Sequence, residues 1–256
     1  MKASNIFKME MYKNFRDKPW LIIIASLAGF ELLATILGIV LIKSTSTTTS
    51  SPGALFIALS VMLIVFGVIG FYVFIIAYPF HLLSIDYSNK TLGLMIASGV
   101  KRTNYYFVKI LATLLSNLMA LFTICIIPLV LIMGIFNAEF IQFMQMLSET
   151  FNSNEAWLFI LSMILSNLLS IFVLAFAVIL TRGKFWGIFV YFGFSMAVGL
   201  ISTLITTSIL AISVNNNSNF EGFSPFGSGV PSMIISILGM VLFMFLGLLM
   251  IKKQDL

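Results

Sequence analysis

Six long apolar stretches decide what this chain can become. They run over about 20–42, 55–80, 105–135, 156–181, 185–213 and 231–251, and each reaches or exceeds the ~20 residues that an α-helix needs to cross the core of a bilayer. Inside hydrocarbon a helix satisfies its own backbone hydrogen bonds, so the expected fold is an all-α membrane protein with six transmembrane helices. Composition agrees: 60% of the residues are hydrophobic, 9% are charged and the mean hydropathy is +1.11. A soluble domain carries about 25% charged residues.

The charges that remain are sorted by side. Of the 14 lysines and arginines, all but Lys43 fall on the side of the amino terminus once the spans are threaded alternately, and Glu139, Glu149, Glu155 and Glu221 fall on the other. The positive-inside rule then puts both termini in the cytosol, and the expected location is the plasma membrane, as a multi-pass protein. The net charge of +5 is therefore membrane-flanking and does not point to nucleic acid. Residues 1–19 form a basic, partly amphipathic segment. Phe7, Met11 and Phe15 recur every fourth residue among Lys8, Lys13, Arg16 and Lys18, as expected of an interfacial helix with that apolar side toward lipid. No cleavable signal peptide is expected, because the first apolar run begins only near Trp20 and no small-residue cleavage pattern follows it. Cys125 excludes a disulfide within the chain and reads as a small buried hydrophobe.

One polar-flanked segment stands out on the basic side: Ile85-Asp86-Tyr87-Ser88-Asn89-Lys90-Thr91-Leu92-Gly93-Leu94-Met95-Ile96-Ala97-Ser98-Gly99-Val100-Lys101-Arg102. Ser88 or Asn89 is placed to cap a short helix over about 89–98, Leu92, Met95 and Ile96 share one face at i, i+3 and i+4, and Gly99 is suited to end it. Thr103 is placed to cap the next helix. By periodicity alone the short helix is either a docking element or an interfacial helix lying on headgroups.

The order of acidic residue, Thr-Leu-Gly-Leu, Ser-Gly-Val-Lys-Arg, aromatic pair and Lys109 resembles the coupling segment of type-2 ABC exporter permeases. In the family's usual form an acidic residue is followed by Gly-Thr, several apolar residues, a small residue, Arg, Tyr and Lys. Asp86, Thr91, Arg102, Tyr106 and Lys109 match it, while Asn89-Lys90 replaces the glycine before the threonine. The opening Met9-Glu10-Met11-Tyr12-Lys13 with Arg16, the segment over 214–230 and the ending Ile251-Lys252-Lys253-Gln254-Asp255-Leu256 are also similar to the family, so the resemblance covers effectively the whole chain. It implies a six-helix permease domain over 20–256 behind the interfacial helix 1–19. ATPase coupling would run through Asp86, Thr91, Leu92, Met95, Ile96 and Arg102, with Leu92, Met95 and Ile96 as the docking face. Two permease subunits, identical or sister chains, would join two ATPases that bind ATP and Mg, and the chain itself would bind no cofactor and no metal.

Polar groups inside the spans mark further candidates. A carboxylate as deep as Glu31 costs about 2.5–3.5 kcal/mol on translocon scales, so it should face protein or water. Ser195, Gly199, Thr203 and Thr207 recur every fourth residue along the fifth span, with Ser202 and Thr206 beside them. Such small residues allow close helix crossing, either within the chain or with another subunit. The resemblance implies that the first and fifth spans meet their counterparts across a dimer, which would put Glu31 and this ladder at the interface or transport path. Asn117 and Asn167 lie at similar depth on antiparallel spans and are expected to bond to each other. The 136–155 connection carries Phe140, Phe143, Met144 and Leu147 at helical spacing, as for a helix resting on the outer surface.

Function classes separate on what is missing. No Walker A pattern and no soluble region large enough for a nucleotide domain occurs, so ATP would be bound by a separate subunit and the chain would not itself be an enzyme. His81, the sole histidine, has no companions with metal-ligand spacing. An intramembrane hydrolase would need a convergent nucleophile and base, and Gly193-Phe194-Ser195-Met196-Ala197 is only a loose echo of a nucleophile elbow. The expected function is export of an amphipathic substrate, most like the lantibiotic-immunity and peptide-exporter permeases that protect their producer from an antimicrobial peptide. Lipid or drug export, and an immunity protein working without an ATPase, are the alternatives. The wealth of Ile, Asn, Phe and Lys suggests a low-GC Gram-positive source.

Overall fold

A computed structural model describes residues 3–45, 70, 72–151, 154–215 and 229–254, and among them every regular element is helical. In chain order the elements are α1 (Ala3–Phe15), α2 (Lys18–Thr45), a π-helical turn (Tyr72–Ala77), α3 (Tyr78–Ser88), α4 (Thr91–Ala97), α5 (Arg102–Ile135), α6 (Asn137–Phe151), α7 (Asn154–Thr181), α8 (Gly187–Asn215) and α9 (Gly229–Lys253). Among the described residues, five helices are long and apolar enough to cross a membrane: Lys18–Val40, Arg102–Ile135, Ile160–Thr181, Gly187–Ser208 and Val230–Lys253. This is a multi-pass membrane protein. The expected second span over 55–80, and the expected loops over 43–53 and 214–230, lie largely outside the described residues. What is seen of the second span differs from the expected end near residue 80. The helix does not stop there but runs on to Ser88 through α3. Pro79 lies inside this continuous helix, two residues past a π-helical turn, a local widening of the kind that takes up a residue without an N–H.

The chain divides into two compact units: Ser4–Pro79 with Leu111–Glu149, and Phe80–Ile110 with Thr150–Leu256 and the first three residues. In the first unit, α1 does not pack as its apolar stripe suggests. Ile6, Glu10 and Asn14 form its buried face, whereas Phe15 is exposed and Phe7 and Met11 are half-buried. Asn14 is held because its Nδ2 donates to Ser116 Oγ at 2.9 Å, and that hydroxyl lies 3.7 Å from Met11 Sδ. Burying an amide is affordable when it is hydrogen-bonded, so a polar face can pack inward and leave the phenylalanine side turned outward. Pro19 opens α2, and Trp20 stacks on Tyr78 with ring centroids 5.0 Å apart. The surface segment expected from Phe140 and its neighbours is the helix α6.

In the second unit α7 is the central post. From Val173 to Ile179 every residue is buried, the mark of a helix covered on all sides. Helix α9 packs chiefly on α7, and α8 leans on both. The crossing of α7 and α9 is close because Gly239 carries no Cβ: one built there would lie 2.9 Å from Leu169 Cδ1. Phe176, Phe194 and Phe243, one from each helix, form a three-way ring contact with centroids 5.4–5.7 Å apart. Ser166 and Ser236 share a hydrogen bond at 3.3 Å, and Ser170 and Tyr191 share one at 2.7 Å. Helix α8 is the least covered of the five candidate spans.

Candidate functional site

The short helix α4 hangs from a braced platform at the basic end of the second unit. Its start is not capped by a side chain: Ser88 Oγ turns back to the Ile85 carbonyl, and Lys90 enters the helix in the left-handed conformation with φ of 56°. This differs from the expected Ser88 or Asn89 cap because Asn89 and Lys90 are spent on the turn itself. The far end follows expectation. Gly99 adopts φ of 87°, its N–H bonds to the Ile96 carbonyl and the Val100 N–H to that of Met95, the paired bonds of a Schellman motif. Val100 is buried beneath it. Helix α5 begins at Arg102, two residues earlier than a Thr103 cap requires, so Thr103 lies inside its first turn.

Asp86 anchors the platform. It is fully buried, its Oδ2 meets Lys109 Nζ at 2.6 Å, and the same oxygen accepts from the Tyr105 hydroxyl. Its Oδ1 accepts from Thr91 Oγ1 at 3.1 Å, which ties the first residue of α4 to the end of α3. A buried carboxylate is sustained only when charge and lone pairs are both answered, and here an ammonium and two hydroxyls answer them. Tyr106, the next motif residue, lies over Gly247, where an added Cβ would come within 2.7 Å of the phenol oxygen.

A second bracket closes the platform from α9. Arg102 Nη1 donates to the carbonyls of Ile251, Lys252 and Gln254 at 3.0, 2.8 and 2.8 Å. These belong to the last turn of a helix, where carbonyls lack intrahelical donors and carry partial negative charge, so a guanidinium fits them in both respects. Gln254 is itself buried. Its Nε2 donates to the Ile179 carbonyl at 2.6 Å and its Oε1 accepts from the Tyr87 hydroxyl at 3.1 Å. Burial pushes the Tyr87 phenol well above its ordinary pKa, the Asp86 charge pushes it further, and Arg182 and the bond to Gln254 draw it partly back. Tyr87 therefore stays a neutral donor through the physiological range.

The expected docking face of α4 is unevenly covered. Leu92 is 1% exposed and Met95 and Ile96 are half-buried, so this stripe packs against the protein itself fully at Leu92 and in part at the other two. Leu94 is 72% exposed and is the apolar side chain that α4 turns outward. Leu92 turns inward by ordinary amphipathic logic, as an apolar residue on the side of a short helix that its own core takes up. Asp86, Thr91 and Arg102 brace α4 through bonds within the protein. Sequence reasoning passed over Leu94 because it stands alone on its face, and Tyr87 and Gln254 because nothing local joins residues so far apart.

The deep candidates are placed as follows. Glu31 lies inside the first unit at 3% exposure, with Thr35 one turn on donating to the Glu31 main-chain carbonyl at 2.8 Å. Its Oε1 has no hydrogen-bond partner among the described residues. Ser195, Gly199, Thr203 and Thr207 are all exposed on α8, and nothing lies within 4 Å of where a Gly199 Cβ would be. Thr203, Thr206 and Thr207 spend their hydroxyls on carbonyls of their own helix at 2.8–3.0 Å, which leaves only methyl groups to be covered. Of the two asparagines expected to pair, Asn117 belongs to the first unit and Asn167 to the second. Asn167 Nδ2 donates to Met163 on its own helix at 2.9 Å, and Asn117 Oδ1 has no partner among the described residues. No protein-family model, no curated protein and no solved structure matches the chain.

Proposed function

We propose that the chain is the membrane-spanning permease subunit of a type-2 ABC exporter. The observation that carries this reading is the convergence of the motif residues. Asp86, Thr91, Arg102 and Lys109 all belong to the brace that holds α4 at the end of the bundle. The backbone supports the same reading at the one position where the motif departs from its usual form. Lys90 stands at φ of 56°, a conformation glycine adopts freely, and the family's usual form has glycine before the threonine. In this reading a sixth span runs over 55–80, both termini are cytosolic, and α4 enters a cleft on a separate ATPase that binds ATP and Mg. The basic ends of α5 and α9 flank that contact.

Two such subunits, identical or sister chains, complete a pathway in the plasma membrane. The uncovered α8 face with Gly199 is the seam between them, supported by its exposure and its self-satisfied hydroxyls. ATPase closure pushes on α4, and the brace passes that push to α3, α5 and α9. The cargo is an amphipathic substrate, a lantibiotic-like peptide exported for self-protection, with Glu31 as the polar group that responds to it inside the membrane.

The test is co-purification with a co-expressed ABC ATPase subunit from the same source. Leu94→Asp should abolish capture of the ATPase while membrane insertion and thermal stability stay at parental values. Leu92→Asp should instead lower the yield of folded protein, because that side chain is internal. Capture of the ATPase by Leu94→Asp at the parental yield would sink the docking assignment.

A further inference from the structure

We propose that the corner between α7 and α8 is a headgroup site that prefers anionic over zwitterionic phospholipid. This goes beyond the export reading and needs only that α7 and α8 span a membrane. The corner presents Arg182 and Lys184, both exposed, beside Phe185, Trp186 and Phe189, exposed at 69%, 70% and 57%. The rings make one patch: Phe189 lies 5.2 Å from Trp186 and 6.2 Å from Phe185, centroid to centroid.

The corner is built rather than loose. Arg182 and Gly183 both take left-handed conformations, with φ of 53° and 72°, and the Gly183 and Lys184 N–H groups bond back to Val178 and Thr181. Gly183 sits so close to α3 that a Cβ would lie 2.6 Å from Tyr87 Cβ, and one on Gly187 would lie 2.9 Å from a Phe80 ring carbon. Two glycines thus seat the turn on α3 and hold three aromatic rings outward at the point where two candidate spans end. Held there, large apolar rings need cover that is greasy below and polar above, which is the bilayer boundary, and tryptophan and phenylalanine beside basic residues suit it. Two cations at that level call for a phosphate with net negative charge, and each enriches anionic lipid beside it by about fivefold. A soluble protein partner would cover the rings but would leave them indifferent to lipid charge.

The test uses the full chain in lipid vesicles with Trp20→Phe and Trp157→Phe, so that Trp186 is the only fluorophore among the 3 tryptophans. Quenching is compared for phosphatidylglycerol or phosphatidylcholine carrying bromine near the headgroup, each as the minor component in the other lipid. Brominated phosphatidylglycerol should quench severalfold more strongly. Arg182→Gln with Lys184→Gln, or high salt, should abolish the difference while leaving quenching by either lipid. Equal quenching by the two lipids in the parental background would overturn the charge preference. Quenching by aqueous acrylamide but by neither lipid would overturn the membrane site and leave a water-facing surface open to a protein partner.

Discussion

Replacing Asp86 with asparagine isolates the charge at the centre of the platform. The side chain keeps its shape and one oxygen, which can accept from Thr91 or from Tyr105, while the other position becomes an amide NH2 and the Lys109 ammonium, 5% exposed, loses the carboxylate 2.6 Å away. Removing one partner of a buried ion pair costs about 3–5 kcal/mol, because the other charge is left without compensation. For a chain of this size each kcal/mol moves a melting midpoint by about 2–4 °C, so Asp86→Asn should melt about 6–20 °C below the parent. Adding Lys109→Met removes the stranded charge and fills its space with an unbranched apolar chain, which should restore most of the loss. The assay is retention of the monodisperse peak in detergent after heating, for the parent, both single variants and the pair. A single variant melting within a degree or two of the parent would refute the reasoning. So would a double variant no better than Asp86→Asn, since the loss would then come from something other than an unpaired ammonium.

Two further substitutions probe the backbone around the platform. Gly183→Ala must hold a residue at φ of 72° and place a Cβ 2.6 Å from Tyr87 Cβ. The left-handed conformation costs about 1–2 kcal/mol and overpacking about 1–3, so a fall of about 2–5 kcal/mol is expected in the same melting assay. Gly193→Ala, with nothing within 4 Å of its added Cβ, is the control that should stay near parental. At Lys90 the native φ of 56° already strains a residue with a side chain. Relief of about 1–2 kcal/mol in Lys90→Gly is offset by about 0.4–1 from the looser unfolded chain, so that variant should match or slightly exceed the parent. Lys90→Val, β-branched at the same angle, should melt clearly lower, and a valine variant as stable as the glycine one would mean that the turn is not held in this form.

The helices were legible because the apolar runs are long and uninterrupted, and the observed bounds of α2, α5, α7, α8 and α9 lie within a few residues of those read from them. The turn at Gly99 was legible for a different reason: few residues other than glycine settle at its φ. Facing was harder. On α1 the sets Ile6, Glu10, Asn14 and Phe7, Met11, Phe15 share the same four-residue spacing, and the polar set packs inward through contacts such as the Asn14 bond to the Ser116 hydroxyl on a distant helix. On α4 the stripe was visible but its direction was not, because a short helix can give its apolar side to its own protein or to a partner. Arg102 was legible as a motif residue, yet its acceptors are main-chain carbonyls, which every residue has and no sequence pattern can mark.

The bracket made by Arg102, Tyr87 and Gln254 also sets an order of assembly. Asp86, Thr91, Tyr105 and Lys109 lie close together along the chain, so their contacts can form as soon as α3, α4 and the start of α5 have been made. The acceptors of Arg102 and the amide that joins Tyr87 to Ile179 come from Ile251–Gln254, synthesised only after α7, α8 and α9. Until then the guanidinium lacks those three carbonyls and the α7 carbonyl at Ile179 lacks its amide donor. The platform thus closes in two stages, an early local one and a late one that registers the arrival of α9. A chain whose α9 failed to insert would keep the first set of contacts and lack the second. That half-closed form exposes buried polar atoms at the end of the bundle, a difference that membrane quality control could read.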